Sequence, residues 1–144
     1  MPGRKKIVFL CTGNSCRSQM AEGFARHLGG DRWEVHSAGT SPQGVNPRAV
    51  RAMAEAGVDI SGQRSKPIAP GLLESADIVV TLCGDAEEKC PLTPPSVRRL
   101  HWPLEDPAGA TGTEEEIMAR FRAVRDEIRQ RVAALLAEES TGRP

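Results

Sequence analysis

Tyrosine is absent from this chain of 144 residues, and aromatic side chains make up only 3% of it. Ala, Val, Leu and Ile must therefore fill most of any core. Neither sign of charge is in excess, because 19 Lys and Arg balance 19 Asp and Glu. Nucleic-acid binding needs a surplus of basic groups to replace phosphate counterions, so no nucleic-acid partner is expected. No apolar run approaches the ~18 residues that mark a membrane-spanning helix. Basic residues stand near the start (Arg4, Lys5, Lys6), but only Ile7 to Leu10 follow them as an apolar run. That run is too short for the core of an export signal, and no small-residue cleavage site follows. A cytoplasmic protein without membrane association is expected. Cysteine is scarce too, at four residues. In a cytoplasmic protein such cysteines are more often catalytic, redox-active or metal-bound than locked in structural disulfides.

What is present suffices for one folded domain, residues 1–144, with 39% hydrophobic and 26% charged residues. No repeat, low-complexity tract or long linker divides it. Lys6 to Leu10 reads as a buried strand. Met20, Phe24 and Leu28 recur at helical spacing between Arg17 and about Leu28, and Gly29 and Gly30 stop that helix. Trp33 to Ser37 alternates apolar with polar residues as a second strand. Asn46 caps a helix with Pro47 in its first position, and Gly57 ends it. Ile78 to Leu82 is a third strand and Val97 to Trp102 a fourth. Thr113 and Glu116 form a capping box before Ile117, Phe121, Val124, Ile128, Val132 and Leu135, a helix expected to reach about Ala137. Glu114 to Glu116 read as the acidic start of that helix rather than as a binding site. Alternating strands and helices imply an α/β fold, a four-stranded parallel sheet flanked by helices on both faces. Ligands of such sheets bind beyond the carboxyl ends of the strands. Cys11, Cys83 and Asp106 all fall at such ends.

The segment Cys11-Thr12-Gly13-Asn14-Ser15-Cys16-Arg17-Ser18 joins the first strand to the first helix. Its residues are small or polar, and Gly13 and Asn14 tolerate the positive φ that a curled loop needs. Successive backbone N–H groups at a helix N-terminus form a nest for a tetrahedral oxyanion. Arg17 adds a planar fork that grips two oxygens. Cys11 lies where the same positive dipoles favour a thiolate, the nucleophilic form of cysteine. Anion cradle and nucleophile thus come from one loop.

The string CTGNSCRSQMAE, straight after a strand, resembles the signature of the low-molecular-weight tyrosine phosphatase fold. In that family an Asp-Pro pair in a late loop protonates the leaving oxygen. Asp106-Pro107 is the matching pair, with Glu105 the neighbour most easily confused with it. Without the resemblance, Asp-Pro reads as a turn.

Cys83 and Cys90 bracket a polar segment, and a phosphatase needs neither. TLCGDAEEKCP, with HWPLEDPAG further on, resembles the thioredoxin-coupled arsenate reductases, which share the phosphatase fold. The likeness runs from about Ile7 into the last helix. It implies that arsenate binds in the Cys11–Ser18 loop, with phosphate or sulfate as competing oxyanions. It implies attack by Cys11, protonation of the departing oxygen by Asp106, and a disulfide passed from Cys11–Cys83 to Cys83–Cys90. It also implies that thioredoxin supplies the electrons, with no metal and no bound cofactor, and a monomer is expected.

Cys16 reads as a packed loop residue, Asn14 as structural support, and Ser15 and Ser18 as hydroxyls that bond the loop or the Cys11 sulfur. The resemblance favours Ser18 for lowering the pKa of that thiol. His27, His36 and His101 form no ligand cluster, and Trp33 and Trp102 read as packing residues. Some relatives bind potassium at positions matching Asn14, Glu22, Ser37 and Lys66. A lysine there carries the wrong charge for a cation ligand, so that site is not expected. The competing activity is phosphate-monoester hydrolysis through a Cys11 phosphoenzyme. It ordinarily needs aromatic walls beside the acid, where this chain has Pro107, Ala108 and Gly109. A zinc or arsenite sensor is a third reading, weakened by the wide spacing of Cys83 and Cys90 and by the lack of a basic recognition helix.

Overall fold

The computed structural model describes residues 5–82 and 95–141. The apolar run near the start forms β1 (Lys5–Cys11), followed by α1 (Arg17–Gly29), β2 (Trp33–Gly39), α2 (Pro47–Glu55), β3 (Ile78–Thr81), β4 (Arg98–His101) and α3 (Glu114–Thr141). Short 3-10 turns lie at Gly30–Arg32 and Pro107–Gly109. The strands make one parallel sheet in the order β2-β1-β3-β4.

Position in the sheet explains the composition of β1. It is flanked by strands on both sides and covered on both faces, so Ile7, Val8, Phe9 and Leu10 are all fully buried. Alternation sends Ile7 and Phe9 into the larger core, with Met20 and Phe24 of α1, Met53 of α2 and Phe121 and Ile128 of α3. Val8 and Leu10 enter a smaller core with Ala38, Leu73, Ala76 and Val79. Among the described residues, this second face is covered by consecutive turns before β3 rather than by a regular helix.

Local signals in the sequence act as the chemistry requires. Asn46 Oδ1 accepts from Arg48 N at 2.8 Å and caps α2. Beyond Glu55, Gly57 takes φ +84°, and the bonds Gly57 N to Ala54 O and Val58 N to Met53 O close a Schellman motif. The capping box of α3 is reciprocal, with Glu116 N donating to Thr113 Oγ1 at 3.1 Å and Thr113 N donating to Glu116 Oε1 at 2.8 Å.

Two element ends move outward from expectation. β2 continues past Ser37 because Ala38 and Gly39 stay in register with Leu10 and Cys11. α3 continues past Ala137 to Thr141 although its apolar repeat is finished. Glu139 binds Lys5 Nζ at 2.8 Å and also pairs with Arg98, which ties that polar turn to β1 and β4.

Candidate active site

The loop after β1 floors a cavity of about 230 Å³ at the carboxyl end of the sheet. Cys11, Thr12, Gly13, Ser15, Cys16 and Arg17 line it, and Gln43, Asp106 and Ala108 form its exposed rim. Cys11 is only 3% exposed, at the point where β1 ends. The side chain of Cys16, the N-cap of α1, makes no capping hydrogen bond, so the positive end of that helix is left to the cavity.

Outer groups hold the loop by its carbonyls. Thr12 O accepts from Ser41 N at 2.8 Å, Gly13 O from Gln43 N at 2.9 Å and Ser15 O from Asn46 N at 3.0 Å. Asn14 O accepts from Gln19 Nε2 at 3.0 Å and Ser65 Oγ at 2.6 Å. In a trans peptide the carbonyl and the following N–H point in opposite directions. With those carbonyls turned outward, the N–H groups of the lining residues Gly13, Ser15 and Cys16 turn toward the cavity. This is a nest for an anion built from the backbone alone.

Asn14 locks that curl. It is the non-glycine residue with positive φ, at 48°, among the described residues. Its Nδ2 donates to Ser18 Oγ at 2.7 Å and to Ser37 Oγ at 3.0 Å. Its Oδ1 accepts from Gln19 Nε2 at 3.0 Å and from Lys66 N at 2.8 Å. The amide is thereby saturated, and Asn14 is a support rather than a ligand for substrate. Ser37 passes the chain on by donating to Glu22 Oε1. Lys66 Nζ lies 3.7 Å from that same oxygen, and Arg26 Nη2 lies 2.7 Å from Glu22 Oε2. Basic side chains of the protein itself thus neutralise the buried Glu22.

Arg17 is 7% exposed. Its Nη1 donates to Leu104 O at 2.9 Å, and its Nη2 lies 3.5 Å from Asp106 Oδ2. Among the described residues, its buried Nε has no hydrogen-bond partner. A buried guanidinium N–H left over in an anion-shaped nest suits an oxyanion as its partner. Asp106 Oδ1 accepts from Ala108 N at 3.0 Å, which caps the turn at Pro107 and leaves Oδ2 on the cavity side. Glu105 instead pairs with Arg120 Nη1 at 3.0 Å and does not line the cavity. The two acidic neighbours that the sequence leaves ambiguous are separated by what each side chain reaches.

Comparison with known proteins places this geometry. The family model for low molecular weight phosphotyrosine protein phosphatases matches residues 6–142. The chain belongs to this family. Within it the chain is 61% identical over 129 residues to an arsenate reductase of Bacillus licheniformis, a match covering 90% of this chain and 93% of the relative. A solved arsenate reductase in a phosphate-binding state superposes with a TM-score of 0.77 at 40% identity, covering 93% of this chain and 98% of that one. A thioredoxin-dependent arsenate reductase of Corynebacterium glutamicum superposes at 0.79 with 27% identity, covering 97% of this chain and 64% of that longer one.

In this member of the phosphatase family, the sequence-derived candidates fall into three groups. Cys11, Thr12, Gly13, Ser15, Cys16, Arg17 and Asp106 line one cavity, while Asn14 and Ser18 are buried behind it. Cys83 and Cys90 lie outside the described residues. The histidines are scattered: His27 is exposed, His36 Nε2 pairs with Glu34 at 2.7 Å, and His101 Nδ1 pairs with Thr81 Oγ1 at 2.8 Å. Among the described residues, no group of three or more His, Cys, Asp or Glu is placed to hold a metal ion. No helix among them is long and apolar enough to cross a membrane. Burial pushes the Cys16 thiol up to about 11, opposed in part by a hydrogen bond from Ser15. Cys16 is therefore a neutral, packed thiol at ordinary pH.

Sequence reading missed the outer parts of the site. Gly39 is one, since a Cβ there would stand 2.7 Å from Thr12 O and 2.9 Å from Asn14 N. Its signal was available, because a glycine ending a strand beside the loop strand marks a close backbone approach. Gln19, Gln43 and Ser65 bear on the loop from other segments and carry no local signal.

Proposed function

We propose that this protein reduces arsenate to arsenite through a relay of Cys11, Cys83 and Cys90, with thioredoxin as the reductant. The observation that carries the reading is the meeting of Cys11, Arg17 and Asp106 at one anion nest, in a chain 61% identical to an arsenate reductase. Arsenate sits with its oxygens on the N–H groups of the loop and on Arg17. The Cys11 thiolate forms an S–As bond while an As–O bond breaks, and Asp106 gives the leaving oxygen its proton, so water departs. Ser18 has a lone pair occupied by Asn14 Nδ2, and its own proton serves the Cys11 sulfur.

The Cys83 thiolate then attacks the sulfur of Cys11. An S–S bond forms, the S–As bond breaks, and its electron pair passes to arsenic. Pentavalent arsenic becomes trivalent and arsenite leaves. Cys90 attacks Cys83, frees the Cys11 thiolate and leaves a Cys83–Cys90 disulfide, which the thioredoxin dithiol reduces. Protein thiols hold every electron in transit, so no bound cofactor enters.

The family description favours a second activity on the same nest. Cys11 and Asp106 are equipped to hydrolyse a phosphate monoester, which on this reading is a weak side reaction.

The deciding experiment is arsenate-dependent NADPH consumption with thioredoxin and thioredoxin reductase, for wild type and Cys90→Ala. Repeated turnover by wild type and a single cycle by the variant are expected. Hydrolysis of an aryl phosphate without NADPH consumption by either protein makes the phosphatase reading the correct one.

A further inference from the structure

The rim of the anion cavity contains one polar side chain that the relay does not use. Gln43 is exposed, yet its position is fixed from two directions. Its backbone N donates to Gly13 O at 2.9 Å, two residues after Ser41 N donates to Thr12 O at 2.8 Å. Its side chain lies flat on the loop, with Cγ 3.5 Å and Oε1 3.1 Å from where a Cβ on Gly13 would be. Gly44 follows with φ +91°, and Asn46 N then donates to Ser15 O at 3.0 Å, so the backbone is held to the loop on both sides of Gln43. Ala108 and Asp106 complete the rim.

We infer that Gln43 is a specificity-determining residue that selects free tetrahedral oxyanions over their monoesters. A tetrahedral anion directs three oxygens into the nest and the fourth toward the mouth. On a free oxyanion that fourth oxygen is a bare oxygen or a hydroxyl. On a monoester it bears carbon. The Gln43 carboxamide both donates and accepts, so it bonds the outer oxygen of the free anion in either protonation state. Contact with Gly13 already restricts the side chain, which lowers the ordering cost of that bond. An ester substituent instead excludes water from the amide and offers it no partner, and a desolvated polar group without a partner opposes binding. Among the described residues, the apolar side chain on the rest of the rim is the methyl of Ala108, which gives a ring little surface in compensation. The inference rests on the arsenate reading for its physiological ligand, but not for its test.

The test is calorimetric titration of the full-length reduced protein with inorganic phosphate and with phenylphosphonate, for wild type and Gln43→Met. Methionine keeps the length of the side chain and its seat on Gly13 but removes the amide, and the position is exposed, so folding is not at stake. The phosphate Kd is expected to rise about tenfold, the worth of one hydrogen bond to an anion, while that of phenylphosphonate falls, because the variant has no amide left to be desolvated without a partner. Equal losses for both ligands, or no loss for phosphate, overturn the inference. Arsenate-dependent NADPH consumption, run alongside, separates the two readings. A wild type that shows the ligand preference but does not reduce arsenate ends the reductase reading and leaves the role of Gln43 standing.

Discussion

Arg17 joins the anion nest to the acid: its Nη2 stands 3.5 Å from Asp106 Oδ2 while its Nη1 holds Leu104 O at 2.9 Å. One guanidinium therefore anchors the segment that carries Asp106 and also lines the cavity. The planar fork makes this double duty feasible, because its donors diverge in fixed directions. The 3.5 Å ion pair adds little by itself, since Asp106 is about half exposed. Its value is positional.

Arg17→Lys tests that double duty. An ammonium reaches the anion or the Leu104 carbonyl, but not both. The Kd for inorganic phosphate is expected to rise at least about tenfold, as for loss of a charge-assisted bond. Hydrogen exchange near residues 104–108 should quicken in the same variant. Unchanged exchange would show that Arg17 does not anchor the acid segment.

Asp106→Asn separates chemistry from binding. The amide oxygen keeps the cap on Ala108 N, seen here at 3.0 Å, so the turn persists. No proton is available for the leaving oxygen, and the covalent step should slow about a hundredfold, the usual effect of losing a general acid. Single-turnover rates with arsenate measure this directly. Glu105→Gln is the matched control, because it loses only an exposed pair with Arg120, worth about 0–1 kcal/mol. A slowed Glu105→Gln with a normal Asp106→Asn would reverse the assignment.

Gly39→Ala probes the backbone packing behind the nest. The added methyl would meet Thr12 O at 2.7 Å and Asn14 N at 2.9 Å, both backbone atoms of the loop. Neither moves without disturbing the outward carbonyls and the φ of +48° at Asn14. A stability loss of about 1–3 kcal/mol in urea is expected, in the range for overpacking, together with weaker phosphate binding. Normal binding in a destabilised variant would mean that the nest forms independently of its Gly39 support.

These contacts mark how far the sequence could be read. Repeats of one period within one segment are local, so β1, the capped start of α2 and the capping box of α3 are legible from the order of residues alone. The Cys11–Arg17 loop is legible for the same reason, because nest, nucleophile and fork are contiguous. Distant partners are not. Nothing around Gln19, Ser65 or Lys66 shows that their donors converge on Asn14, and nothing around Leu104 shows that its carbonyl receives Arg17. The resemblance picks Asp106 over Glu105, but the residues alone do not show that Glu105 is taken up by Arg120, nearly two turns into α3. The end of α3 was misplaced because ion pairs to Lys5 and Arg98, rather than apolar spacing, sustain its last turns.

Cys16 makes a prediction about pH whose sign is fixed by its burial. Desolvation favours the neutral thiol, and the folded value rises from 9.0 to about 11. Between those values the unfolded chain has lost the Cys16 proton while the folded protein keeps it. Folding then binds a proton, so stability falls as pH rises. The contribution is fully present below pH 9 and is lost by about pH 11. Wild type should therefore lose on the order of 2 kcal/mol more than Cys16→Ala across that window, after their constant difference at neutral pH is subtracted. Urea midpoints from pH 7.5 upward provide the measurement. The same burial leaves Cys16 unreactive toward iodoacetate in the native protein at neutral pH, since alkylation requires the thiolate. Parallel stability curves for the two proteins, or rapid alkylation of Cys16, would mean that the thiol is solvated and ionises freely inside the nest.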